Sequence, residues 1–309
     1  APTAEGFVAD CHRRATRVRT KPGAEQRSKA PGHFRDVAMP RTLESTRGFF
    51  MADYLDTLKE RVLVFDGAMG TSVQALDLTP DDFGGEHLHG CNDHLVLSRP
   101  DAVRNIHASF LSVGCDVIET DTFRANRLSL SEYGLEGRIV ELNRAAAALA
   151  RETADEFSTP DRPRFVAGSL GPTGFLPSSS DPTLGTATYA ELVEVYREQA
   201  LGLVEGGVDV LLIETGQDIL EMKAAVTGCR KACRDAIQEA GRWVPIQTQV
   251  TLDTAGRMLL GTDISAALVV LESLGVAAVG LNCSTGPEPM REPVRYLCEN
   301  TTLPVSVIP

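Results

Sequence analysis

The sequence predicts an α/β protein of the (β/α)8 TIM barrel class, incomplete as it stands, and three observations carry that prediction. From Met51 onward, short apolar β-rich runs alternate with longer stretches whose apolar residues recur at helical spacing, the sequence form of repeated β-α units. The short runs are continuously apolar rather than alternating, as expected of parallel strands buried on both faces. Directly after them stand polar or acidic residues, six times in series, which is where such a barrel gathers its functional groups. An open doubly wound sheet gives a similar alternation, but no GxGxxG follows the first run, and its DGAMG turn is too short for one.

In chain order, strands are expected at 62–66 (VLVFD), 115–119 (CDVIE), 164–169 (RFVAGS), 208–213 (VDVLLI), 245–250 (PIQTQV), 276–281 (VAAVGL) and 304–308 (PVSVI). Helices are expected at about 101–113, 137–156, 188–206, 217–239, 263–274 and 288–299. Pro309 directly follows the seventh strand, so seven strands are visible and the last strand of the barrel is expected to be missing.

Composition narrows the function. The 309 residues carry 30 Lys/Arg against 42 Asp/Glu, a net charge of −12, the wrong sign for a phosphate-binding surface, so a nucleic-acid partner is not expected. The most apolar stretch, AALVVLESLGVAAVGL, is broken by Glu272 and Ser273, so no membrane span is expected. Residues 1–50 hold ten Lys/Arg against five Asp/Glu, leaving twenty against thirty-seven for residues 51–309. With charges and turn formers but no apolar periodicity, residues 1–50 read as a disordered extension without the apolar core of a signal peptide, and 51–309 as the barrel domain. Seven scattered cysteines, an odd number, read as reduced thiols of a cytoplasmic protein.

The strand ends carry Asp66 with GAMG, Glu119 with TDTF, Ser169 with LGPTG, Glu214 with TG, Thr251, and Asn282 with Cys283. Taken singly, each has an ordinary alternative: Asp66 as a helix N-cap, Glu214 as a salt-bridge partner, Cys283 as a small buried residue. Two other motifs invite stronger readings. HLHGCNDHL brings His87, His89, Cys91 and His94 together, but matches no structural zinc spacing. GSLGPTG lacks the lysine and Ser/Thr of a phosphate-binding P-loop, which leaves a shaped loop at the barrel rim. Schiff-base chemistry is not expected, since Lys21, Lys29, Lys59, Lys223 and Lys231 all lie away from strand ends.

Together FDGAMGT (65–71), NDHLVLSRPD (92–101), IETDTF (118–123), GSLGPTG (168–174), YREQALGLVEGGVDVLLIET (196–215) and GLNCSTGP (280–287) resemble the homocysteine S-methyltransferase family, and within it the homocysteine-binding domain of cobalamin-dependent methionine synthases. That resemblance implies a barrel whose mouth holds Zn²⁺ on three cysteine thiolates, the first being Cys283. The other two ligands, an adjacent pair in a Gly-Gly-Cys-Cys motif, would lie beyond residue 309. It further implies that Asp66 and Glu214 bind the ammonium group of homocysteine. Asn282 and Glu119 are expected to orient these groups, and the N–H groups of Gly67 and Ala68 can take the substrate carboxylate, glycine letting the backbone approach closely.

The implied chemistry is methyl transfer to a zinc-activated thiol. A free thiol, with a pKa near ~8.5, is mostly protonated at neutral pH, whereas a zinc-bound one is deprotonated and stays nucleophilic. The implied donor is methylcobalamin on another domain, with folate-binding and cobalamin-binding domains as partners in the full-length protein. Alternatives are a free-standing homocysteine S-methyltransferase using a small methyl donor, and a non-catalytic homocysteine-binding fragment. With one thiolate of three, the chain by itself is expected neither to hold zinc tightly nor to methylate homocysteine.

Overall fold

A computed structural model of the chain describes residues 53–240 and 243–309. The reading of 1–50 as a separate extension lies outside the described residues. Six strands form one sheet: β1 (Val117–Glu119), β2 (Phe165–Leu170), β3 (Val210–Gly216), β4 (Ile246–Val250), β5 (Ala278–Asn282) and β6 (Val305–Ile308). They pair in sequence order and all in parallel, from Val117 opposite Phe165 at one end to Asn282 opposite Ile308 at the other. A helix follows each of β1 to β5, so the architecture is an incomplete (β/α)8 barrel.

The helices, in chain order, are α1 (Tyr54–Glu60), α2 (Met69–Gln74), α3 (Pro80–Phe83), α4 (Leu95–Ser98), α5 (Pro100–Val113), α6 (Arg127–Leu130), α7 (Ile139–Phe157), α8 (Tyr189–Gly206), α9 (Ile219–Ala240), α10 (Ile264–Ser273) and α11 (Pro287–Asn300). Their boundaries follow local chemistry. A reciprocal capping box starts α8, with Thr188 and Glu191 each bonding the other's backbone N–H. Gly114 and Gly207, both left-handed, end α5 and α8. Between α7 and α8 the backbones nearly touch, for a Cβ on Gly206 would fall 2.4 Å from Ala147 Cβ.

The first expected strand is reduced to one parallel bridge, Phe65 with Val117, although Asp66 N–H still donates to Val117 O at 2.9 Å and Val117 N–H to Val64 O at 3.1 Å. Among the described residues it has a strand neighbour on one side only, and Val62 and Val64 remain 49% and 55% exposed. The other six strands form where expected, with ends that shift by no more than three residues; β2 and β4 are buried at every residue.

One core cluster brings Val117, Phe165, Val210 and Leu212 together with Tyr54 of α1. Tyr54 packs edge-on against Phe165 and donates to Gln247 Oε1 at 2.8 Å, so α1 closes the end of the barrel where the strands begin. That leaves the opposite end, where the strands finish, as the place for a site.

Candidate active site

Five strand ends and one edge turn build the mouth. The Asp66 carboxylate accepts the backbone N–H of Glu119 at 3.1 and 3.2 Å, which ties the first turn to the end of β1. From β2, Ser169 Oγ donates to Glu214 Oε1 at 2.5 Å. From β5, Asn282 Nδ2 donates to Glu214 Oε2 at 3.1 Å, and it also reaches Thr215 Oγ1 at 2.8 Å and Cys283 Sγ at 3.3 Å. Thr251, after β4, donates its hydroxyl to Asn282 O at 2.9 Å.

Electrostatically, among the described residues, the mouth holds three carboxylates and no cation that acts on them. Burial pushes Asp66 up to about 8, with the charge of Glu214 adding to the rise and backbone hydrogen bonds opposing it. Burial likewise pushes Glu214 up to about 7 against the Ser169 hydrogen bond. Glu119 is driven well above the usual carboxylate range by burial and by the charges of Glu214 and Asp66. No lysine or arginine is among the groups that act on these three. The Cys283 thiol is pushed up by desolvation and by Glu214, while hydrogen bonds from Thr215 and Asn282 pull it down. Unaided, that thiol keeps its proton at neutral pH.

Of the residues singled out in the sequence, Asp66, Glu119, Glu214, Asn282 and Cys283 therefore meet at one end of the barrel. Gly67 and Ala68 adjoin Asp66 and are exposed, directly before α2. Packing adds its own reason for glycine at 67: an added Cβ would lie 3.0 Å from the Phe110 ring. Sequence reasoning did not single out Ser169 or Thr215 for a role. Ser169 was visible as a polar strand end, but its bond to Glu214 depends on the register of β2 against β3.

The GSLGPTG loop holds the rim. In GSLGPTG, Thr173 donates its N–H and hydroxyl to Glu221 Oε1 at 2.8 and 2.5 Å, and Tyr196 OH reaches Gly171 O and the same carboxylate oxygen, each at 3.1 Å. Ser178 donates its N–H and hydroxyl to Asp218, each at 2.7 Å. The loop after β2 is thus pinned to the start of α9. In HLHGCNDHL the side chains diverge: His87 and His89 are exposed, Cys91 is buried, and His94 is buried with Nδ1 2.9 Å from Phe83 O. Among the described residues, no three His, Cys, Asp or Glu side chains are grouped to hold a metal ion.

The chain has counterparts among known proteins. The homocysteine S-methyltransferase family profile matches residues 63–309, and the chain belongs to that family. It is 48% identical over 257 residues to the methionine synthase of Mycobacterium tuberculosis and 46% identical over 257 residues to that of Mycobacterium leprae, matches that cover 83% of this chain. The chain spans about a fifth of the length of these relatives, 21% and 20%. In fold it resembles the metallated form of the homocysteine methyltransferase MmuM from Escherichia coli, with a TM-score of 0.65 at 20% identity, covering 82% of this chain and 85% of that one. No described helix is long and apolar enough to cross a membrane.

Proposed function

We propose that this chain is the homocysteine-binding module of a cytoplasmic, cobalamin-dependent methionine synthase. The observation that carries the reading is the set of three carboxylates, Asp66, Glu119 and Glu214, gathered at the mouth with no basic residue acting on them among the described residues. Buried carboxylates lacking a counter-charge are costly, and a cation arriving with the substrate offsets that cost. An amino acid brings such a cation. Asp66 and Glu214 would take the ammonium group, while the exposed turn at Gly67 and Ala68 offers N–H groups to the carboxylate. Asn282 links Glu214 to Cys283 in one hydrogen-bonded unit, which supports a site that would take the amino-acid end and the sulfur end of homocysteine together.

In this reading Cys283 is one of the thiolates that would hold Zn²⁺, which activates the substrate thiol, and methylcobalamin on another domain donates the methyl group. The described residues do not by themselves fit a three-thiolate zinc site: Cys283 is a single thiol, and no further cysteine or histidine stands beside it among the groups that act on it. The contribution of this chain's own residues is substrate binding and orientation.

Calorimetry on the full-length protein tests the reading. L-homocysteine should bind at least about tenfold more tightly than 4-mercaptobutyrate, which has the thiol and carboxylate but no ammonium group. Equal affinity would remove the acidic mouth from amino-acid recognition. Assays with methylcobalamin and with S-methylmethionine or betaine then identify the donor. Turnover with a small donor alone would favour a free-standing methyltransferase, and binding without turnover a non-catalytic homocysteine-binding fragment.

A further inference from the structure

β3 does not run straight through the site. Ile213 pairs with Thr248 and Gly216 with Val250, so β3 carries one residue more than β4 between the same two rungs. Such a bulge re-aims side chains, and the two residues inside it are Glu214 and Thr215. Thr215 has φ +57°, a left-handed conformation that a β-branched residue adopts only at a cost. The restraint comes from β5, two strands away. Asn282 Oδ1 accepts the Thr215 N–H at 2.8 Å, and Asn282 Nδ2 donates to Thr215 Oγ1 at 2.8 Å, so side chain and backbone of one residue are held by the two ends of one amide.

That amide has other duties. Its Nδ2 also faces Glu214 Oε2 and Cys283 Sγ, three acceptors for two hydrogens. Asn282 is 1% exposed, so water does not stand in for a missing partner. The two bonds with Thr215 fix the plane and direction of the amide, and the amide in turn fixes the Glu214 carboxylate, whose other oxygen is held by Ser169.

We infer that Thr215 is a positioning residue: by closing the β3 bulge on Asn282, it aims the Glu214 carboxylate at the ammonium group of the amino-acid substrate. This rests on the homocysteine reading above. Three variants separate the hydroxyl from the backbone shape. Thr215→Val keeps the branched shape and loses the hydroxyl, Thr215→Ser keeps the hydroxyl, and Thr215→Gly relieves the left-handed strain while losing it.

The test measures homocysteine dissociation constants by calorimetry on the full-length protein, beside thermal melts. Thr215→Val and Thr215→Gly should each weaken binding about five- to twentyfold, and Thr215→Ser by no more than about twofold. The glycine variant should melt no lower than the parent, which separates lost positioning from lost stability. In a Glu214→Gln background, Thr215→Val should weaken binding little further, because the group it positions is already gone. Full additivity in that cycle, parental affinity in the glycine variant, or a serine variant as weak as valine would each overturn the proposal. A parent protein that does not bind homocysteine overturns the functional reading itself and takes this inference with it.

Discussion

The two ends of this barrel use the same side-chain chemistry in opposite ways. Where the strands begin, Asp116 is ion-paired to Arg61 at 2.9 Å, Arg164 at 3.5 Å and Arg162 at 3.6 Å, and it accepts the Val64 N–H at 3.0 Å. Those partners hold its carboxyl below the usual range despite burial. Where the strands end, Glu214 is buried and Asp66 and Glu119 are half-buried; among the described residues no lysine or arginine acts on them, and all three are pushed up. The difference teaches what each end is for. At one end the charge is compensated within the chain and serves the fold; at the other it is left uncompensated, as the proposed binding of an ammonium group requires.

Removing Asp116 should have the largest effect on stability. Asp116→Ala strands Arg164, whose side chain is 7% exposed, and leaves Val64 N–H without its acceptor. Losing one partner of a buried pair costs about 3 kcal/mol or more. Urea denaturation should show it, and a loss below about 1 kcal/mol would mean that this end is not the brace described. At the mouth the effect falls on binding instead. Glu214→Gln should weaken homocysteine binding by about ten- to a hundredfold, the worth of a charge-assisted hydrogen bond at ~1.5 to 3 kcal/mol. Stability at pH 8 should hold or rise, because an unpaired buried charge has been removed. Unchanged affinity in that variant would take Glu214 out of the site.

The contrast extends to pH. Asp66 rises from an ordinary 3.8 to about 8, and Glu214 from 4.5 to about 7, so the folded state binds protons more tightly than the unfolded chain. Their contribution is full below about pH 4 and is lost as pH rises through 7 and 8. Asp116 works in the opposite sense, its lowered pKa adding stability that disappears on acidification. Between pH 6 and pH 9 the free protein should lose about 1 to 3 kcal/mol in urea titrations. Saturating homocysteine, by supplying the missing cation, should flatten that slope. A stability that stays level or climbs over this range without ligand would show that the mouth acids are compensated after all.

How far the sequence reaches differs between fold and site for a physical reason. Helices such as Ile139–Phe157 and Tyr189–Gly206 were legible to within two residues because periodic apolar positions and caps are local properties. The strand at 62–66 was overstated, since apolar β-rich composition does not reveal that a run lies at an edge. The acids and Cys283 were legible because a barrel places strand ends together. Thr215 and Ser169 were not, because a bulge in β3 and the register of β2 against β3 arise from pairing between strands. No residue type announces either.

The smallest effect is expected within the arginine cluster itself. Arg162 and Arg164 both approach Asp116 Oδ1, at 3.6 and 3.5 Å, but the Arg162 side chain is 51% exposed where that of Arg164 is 7% exposed. Water and salt already screen Arg162, and an exposed pair is worth about 0 to 1 kcal/mol. Both side chains donate to Gly114 O, so that carbonyl keeps a partner when Arg162 is lost. Arg164 also reaches Cys115 O and Phe157 O, which makes it a tie between β1, β2 and the end of α7 as well as a counter-charge. Arg162→Ala should therefore cost under about 1 kcal/mol in urea denaturation at 0.15 M salt, and Arg164→Ala at least twice as much. Equal costs would mean that Asp116 is stabilised by total positive charge rather than by one buried partner. Raising the salt to about 1 M, where screening shortens to ~3 Å, separates the two cases, since a charge-only brace would then weaken in both variants and in the parent.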